Sequence, residues 1–159
     1  MLQAGDLVVL CGLPGCGKST FARELETAHG AVVVAYDALR KADTGQDLNY
    51  SRVYGRLLNG IDSAIARAPV VVEALHLTPD ERAYLVHRGR RRYAVWWRAE
   101  ITRCLRRRPS IESRSMSRMA AKLEPPTTDE GFDGVAQWRQ STRRWPWDEG
   151  ERADQQPST

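Results

Sequence analysis

Cysteine is scarce in this chain of 159 residues, and the three present, Cys11, Cys16 and Cys104, form no pair. Their number is odd and their spacing fits neither a zinc ligand set nor a CxxC redox site, so a disulfide framework and a structural metal are not expected and a reducing cytoplasm suits them. Long apolar runs are missing too. LVVL at Leu7–Leu10 and AVVVA at Ala31–Ala35 fall far short of the roughly 20 residues that a membrane-spanning helix needs, which leaves no membrane partner. The opening MLQAGDLVVLCG has no basic region and no cleavage pattern, so it reads as a strand rather than a signal peptide. Acids are nearly absent from one region. Between Arg82 and Lys122 thirteen Lys or Arg face only Glu100 and Glu112, whereas the first 81 residues hold seven basic and ten acidic residues. A basic stretch of this kind suits nucleotide phosphates, a nucleic acid, or both, and equally a solvated arginine-rich face.

With 42% hydrophobic and 28% charged residues, the composition is that of a soluble globular domain. One domain is expected over residues 1–145, followed by a polar tail over 146–159; nothing in the sequence addresses the oligomeric state. Short β-branched runs alternate with helical patterns, which predicts an α/β fold with a mostly parallel, doubly wound sheet. Strands are predicted at Leu7–Leu10, Val32–Val34, Val70–Val72 and Tyr93–Trp97, with a weaker fifth at Val135–Trp138. Val53, Leu57, Ile61, Ile65 and Ala68 recur at helical spacing before the third strand. Thr78, Pro79 and Glu81 are placed as N-cap, N1 and N3 of a further helix that should carry Ala83, Leu85 and Val86 inward. Helices from about Glu100 to Arg108 and from Ser113 to Lys122 flank Pro109, and this arginine-rich pair reads as a lid.

The strongest local signal is GLPGCGKS, Gly12 to Ser19, a full GxxxxGK[ST] motif between a predicted strand and a predicted helix. Glycines at 12, 15 and 17 let backbone N–H groups approach phosphate oxygens where a Cβ would intervene, and the following helix adds its positive end. Lys18 would reach the β- and γ-phosphates of ATP or another nucleoside triphosphate. The Ser19 hydroxyl would ligate Mg2+, and Thr20 is a neighbouring hydroxyl. Cys16 fills a variable loop position as a tolerated small residue. Two carboxylates reach the same sheet edge. Asp37 follows AVVVAY and is the candidate to orient and deprotonate an acceptor hydroxyl. Arg40, three residues on, can neutralise an acceptor phosphate. Glu73 ends PVVVE and is placed to hold Mg2+ waters or Arg40.

These residues resemble the kinase domain of the 5′-hydroxyl polynucleotide kinases, as in bacteriophage and animal end-healing enzymes of DNA and RNA repair. GLPGCGKSTFA matches that family's P-loop, VVVAYDALR its strand ending in Asp with Arg three residues on, and VVVEALHLTPDER its third strand and following helix. LEPPTTDEGFDGV at Leu123 to Val135 is similar to the segment after the lid in the animal enzymes. The resemblance implies Asp37 as general base toward a DNA or RNA 5′-hydroxyl, Arg40 as contact to the acceptor's phosphate, and a lid arginine as transition-state clamp. Arg107 is the choice for that clamp, with Arg103, Arg108 and Arg114 as alternatives. The chain departs from the family at Glu73-Ala74-Leu75-His76, where the family has Asp-x-Thr-Asn, and in a shorter lid without the Arg-Asn pair. It also carries no DxDGT-like phosphatase motif. The function this resemblance implies is therefore that of a cytoplasmic ATP-dependent kinase that transfers the γ-phosphoryl group to the 5′-hydroxyl of a polynucleotide. Other hydroxyl acceptors stay open (a hydroxylated base in DNA, a tRNA-linked group, a nucleotide sugar, a small metabolite), as does a nucleotide-dependent binding or regulatory module.

Overall fold

The computed structural model describes residues 1–42, 49–142 and 144–148. Five strands, β1 Asp6–Cys11, β2 Val32–Ala35, β3 Val70–Glu73, β4 Arg91–Trp96 and β5 Gly134–Gln137, form one all-parallel sheet in the order β2-β3-β1-β4-β5. The central strand β1, DLVVLC, is apolar after its first residue because helices cover both of its faces, and every one of its residues is buried. Val8 lies in register between Val71 and Tyr93. The helices are α1 Lys18–His29, α2 Tyr36–Ala42, α3 Tyr50–Ala64, α4 Pro79–Arg82, α5 Ile101–Arg107 and α6 Ser113–Lys122.

The alternation of side chains along β1 divides the core in two. Val8 and Leu10 point to one face, where Phe21 and Leu25 of α1, Cys104 of α5 and Met116 of α6 join them. Leu7 and Val9 point to the other and meet Tyr54, Leu57 and Ile61 of α3. Each such fully buried aliphatic side chain contributes about 1.5–3 kcal/mol. No helix among the described residues is long and apolar enough to cross a membrane.

Three elements differ from the sequence reading by two residues or more, each for a physical reason, and the other predicted strands and α5 by a single residue at an end. α3 stops at Ala64, and Ile65 to Ala68 continue as turns closed by Arg67 N–H to Ala64 O at 2.9 Å; Pro69 disfavours helix in the residue before it. β4 begins two residues early, at Arg91, because Asp6 accepts two hydrogen bonds from its guanidinium at 2.8 and 2.6 Å and Asp133 pairs with Arg92 at 3.2 Å. The helix capped by Thr78, whose hydroxyl accepts from the Glu81 N–H, lasts only four residues. Leu85 and Val86 do face inward, but Ala83 is exposed and Arg82 takes the interior place. Of the polar tail expected over 146–159, only residues 146–148 are described. Trp147 is 1% exposed in the α1 layer of the core, stacked on Trp145 at 5.5 Å, while residues 149–159 lie outside the described part.

Because the sheet is parallel, Leu10, Ala35 and Glu73 come level at one edge, in register across β1, β3 and β2. The P-loop, Asp37 and Glu73 all issue from that edge.

Candidate active site

The loop after β1 wraps around its own lysine. Gly15 and Gly17 have φ of +78° and +114°, a left-handed conformation in which a side chain is strained, and a Cβ on Gly15 would lie 3.0 Å from the Cys104 carbonyl oxygen. Gly17 is the N-cap of α1, so the chain turns directly from the loop into the helix. Lys18, the first helical residue, is buried. Its Nζ donates to the carbonyls of Gly12 at 2.8 Å and Leu13 at 2.9 Å, and lies 3.7 Å from Cys16 Sγ. Cys16 is itself buried, and desolvation pushes its thiol pKa up despite the nearby Lys18 charge. Next along α1, the Ser19 hydroxyl hydrogen-bonds to the Glu73 carboxylate, which joins the P-loop to the end of β3.

Across from this pair, Asp37 sits in the first turn of α2, 60% exposed, with Arg40 Nε 3.8 Å from its Oδ1 at i,i+3 spacing. One cleft of about 690 Å³ is lined by Gly15, Gly17, Lys18, Ser19, Thr20, Tyr36, Asp37, Arg40, Glu73, Arg107 and Arg108, among others. Arg107, at the end of α5, donates to the Gly15 carbonyl at 3.5 Å. Arg103 lies one turn back, paired with Glu100 at 3.9 Å, and faces a second cavity of about 290 Å³ lined by Cys16, Trp97, Trp138 and Arg139. Arg114 lies on α6 and lines neither cavity. Among the four lid arginines, then, Arg107 and Arg108 share the cleft with the P-loop and Asp37.

A model of the AAA domain family matches residues 7–130, a span that holds the P-loop, both carboxylates and the arginine-rich helices. The chain belongs to the AAA domain family. Its sheet and P-loop are those of the P-loop NTPase fold, in the form shared with P-loop kinases. No curated protein matches this AAA domain in sequence. Among solved structures it is similar to a gluconokinase from Sinorhizobium meliloti 1021, with 23% identity, 84% of this chain and 82% of that chain covered, and a TM-score of 0.59. A chain of the Pnkp1/Rnl/Hen1 RNA repair complex is similar at 19% identity and a TM-score of 0.62, over 77% of this chain and 45% of that one. Shikimate kinase from Acinetobacter baumannii in complex with shikimate gives 17% identity, 94% and 90% coverage and a TM-score of 0.59.

Several further residues, given no role from the sequence, tie distant segments together or border the two cavities. Arg82 is fully buried. It holds Glu130 through two hydrogen bonds of 2.8 Å and donates to the carbonyls of His76 at 2.8 Å and Glu124 at 3.1 Å, tying the segment after β3 to the exit of α6 and the approach to β5. The available signal was Glu130 itself, inside the PTTDEGF segment. His76 has φ of +48°, uncommon for a residue other than glycine. Its Nδ1 lies 3.1 Å from the Leu10 carbonyl, and burial holds its pKa down to about 4. The indole Nε1–H of Trp97 is buried without a hydrogen-bond partner, and a Cβ on Gly17 would lie 3.6 Å from it. Tyr36, beyond the predicted strand Val32–Val34, is the first residue of α2 and lines the cleft.

Proposed function

We propose that this AAA domain is a kinase that transfers the γ-phosphoryl group of ATP or a similar triphosphate to the 5′-hydroxyl of a DNA or RNA strand. The observation that carries the reading is that Lys18 and Ser19 line the same cleft as the Asp37–Arg40 pair. The phosphate side fits a nucleotide. The unpartnered Trp97 N–H lies beside Gly17, and the loop glycines leave room where a Cβ would stand. The neighbouring cavity between Trp97, Trp138 and Arg103 offers aromatic and cationic surface for the base.

Hard oxygen donors beside the loop fit Mg2+. Among the described residues no group of three or more His, Cys, Asp or Glu could hold a metal, so Mg2+ would be shared between the Ser19 hydroxyl, with Glu73 behind it, and the phosphate oxygens. When bound, it supplies neutralisation of the β- and γ-oxygen charge. The residues of the chain do the rest. Lys18 follows the migrating group with its ammonium, Arg107 closes over the P-loop as a fixed cation, and Asp37 accepts the hydroxyl proton as the oxygen attacks in line. Arg40 would hold the phosphate 3′ of the reacting nucleoside. A smaller hydroxylated acceptor is the competing reading, supported by the fold shared with gluconokinase and shikimate kinase over most of their lengths.

The deciding experiment offers γ-labelled ATP with Mg2+ to 5′-hydroxyl and 5′-phosphorylated oligonucleotides of DNA and RNA, and to a nucleoside with and without a 3′-phosphate. Label on 5′-hydroxyl ends alone, with the nucleoside 3′-monophosphate favoured over the bare nucleoside and Arg40→Ala removing that preference, supports the proposal. Equal label on 5′-hydroxyl and 5′-phosphorylated strands points to an internal hydroxyl. Equal use of nucleoside and nucleoside 3′-monophosphate with an unchanged KM in Arg40→Ala removes the polynucleotide reading.

A further inference from the structure

Four tyrosines form a run of ring contacts that begins in the cleft and leaves it. Tyr36 opens α2 directly before Asp37 and lines the cleft. Its ring centroid is 5.6 Å from that of Tyr50, Tyr50 stacks on Tyr54 at 5.4 Å with 18° between planes, and Tyr54 meets Tyr84 edge-on at 6.3 Å. Tyr54 is the fixed member of the row. Its ring is buried against the α3 layer, and its hydroxyl donates to the Glu81 carbonyl at 3.0 Å. Tyr50 and Tyr84 are 57% and 63% exposed, and they are the two exposed aromatic rings among the described residues.

Core packing accounts for Tyr54 but not for the rings on either side of it. An apolar ring face left in water forgoes burial free energy, and these two are set in series with Tyr36, which lines the same cleft as Asp37. Cations accompany the row. Arg40 and Lys41 line the cleft together with Tyr36, and at the far end of the row Arg88, which also pairs with Asp62 at 3.0 Å, donates to the Tyr84 carbonyl. Stacking rings beside a positively charged track are what a single strand of nucleic acid uses, because every base has a π-face and every nucleotide a phosphate.

We propose that Tyr50 and Tyr84, supported by Tyr36 and Tyr54, form an extended acceptor subsite on which the bases 3′ of the reacting nucleoside stack. The proposal rests on the polynucleotide reading above and adds to it that the acceptor is single-stranded and several nucleotides long. The test compares wild type, Tyr50→Ala and Tyr84→Ala on a 5′-hydroxyl strand of ten nucleotides, on the same strand made abasic beyond its first nucleoside, and on a nucleoside 3′-monophosphate. Both side chains are exposed, so their removal leaves no core cavity. The expected result is a KM for the full strand raised about fivefold to a hundredfold per ring removed, an unmoved KM for ATP, and a variant-to-wild-type ratio near one on the abasic strand and the monophosphate. Tyr50→Trp should restore strand affinity. A full strand whose KM is the same in wild type and both variants overturns the tyrosine subsite while leaving the kinase reading intact. So does a KM that rises equally on all three acceptors. Wild type that labels no nucleic acid under any condition overturns the polynucleotide reading, and the subsite with it.

Discussion

Replacing Arg82 with methionine keeps most of the buried volume and removes the guanidinium. What remains is a Glu130 carboxylate that is only 15% exposed and has lost both of its 2.8 Å hydrogen bonds, together with two carbonyls, of His76 and Glu124, that have lost a donor. Breaking a buried pair from one side costs about 3–5 kcal/mol, chiefly through the stranded charge, and the carbonyls add little that is independent of it. With a urea m-value of about 2 kcal/mol/M for a domain of this size, the unfolding midpoint should fall by about 2 M. The double variant Arg82→Met with Glu130→Gln removes both charges, and most of the loss should return, to within about 1–2 kcal/mol of wild type. Urea titrations followed by tryptophan fluorescence and by circular dichroism measure both. A single variant whose midpoint stays within about 0.3 M of wild type, or a double variant no more stable than the single, would refute the assignment of Arg82 as the tie between three segments.

Lys18→Ala should reduce kcat/KM by at least about a hundredfold, since it removes the ammonium that stabilises the migrating phosphoryl group; near-native turnover would sink the P-loop assignment. Asp37→Asn should lower kcat by about a hundredfold or more while ATP affinity, read by titration calorimetry, stays within about twofold. Loss of ATP binding in step with turnover would move Asp37 to the nucleotide side. His76 supplies an acid-sensitivity prediction. Its pKa is about 4 in the fold against 6.5 for the free side chain, so below pH 6.5 the unfolded chain takes up a proton that the folded one refuses. The resulting loss of stability grows as pH falls toward 4, reaching about 3 kcal/mol at roughly 1.4 kcal/mol per pKa unit. His76→Asn, which tolerates the positive φ, should flatten the pH 4–6.5 slope relative to wild type, and parallel slopes in the two proteins would exclude His76 as the cause.

Much of this architecture was legible in the residues. GLPGCGKS carries its own geometry, since glycines at fixed offsets dictate a loop and the β-branched run before it dictates a strand, and both are present. The apolar runs of β1 to β4 announced a sheet covered on both sides. Parallel pairing then brings Asp37 and Glu73 to the P-loop edge. The parts that could not be read depend on contacts between distant segments. Charge in a sequence points outward by default, so Arg82 at the core needs Glu130, 48 residues away, before its place makes sense. The run PWDEG looks like tail composition until Trp145 and Trp147 are seen closing over Phe21 and His29 of α1. Arg107 and Arg103 are indistinguishable by composition, and only the direction of α5 over the P-loop assigns one to each cavity.

The order of the sheet also has a consequence for biosynthesis. β1 is made before the other strands of this sheet, and its partners come much later: Val8 pairs with Val71 on one side and Tyr93 on the other. At about 5–20 residues per second, an apolar strand with two open edges waits roughly 4–17 seconds for its second neighbour. The side chain that seals the face of α1, Trp147, is made later still. Translation pauses placed between the codons of β3 and β4 would lengthen that exposure and send more of the chain into aggregates.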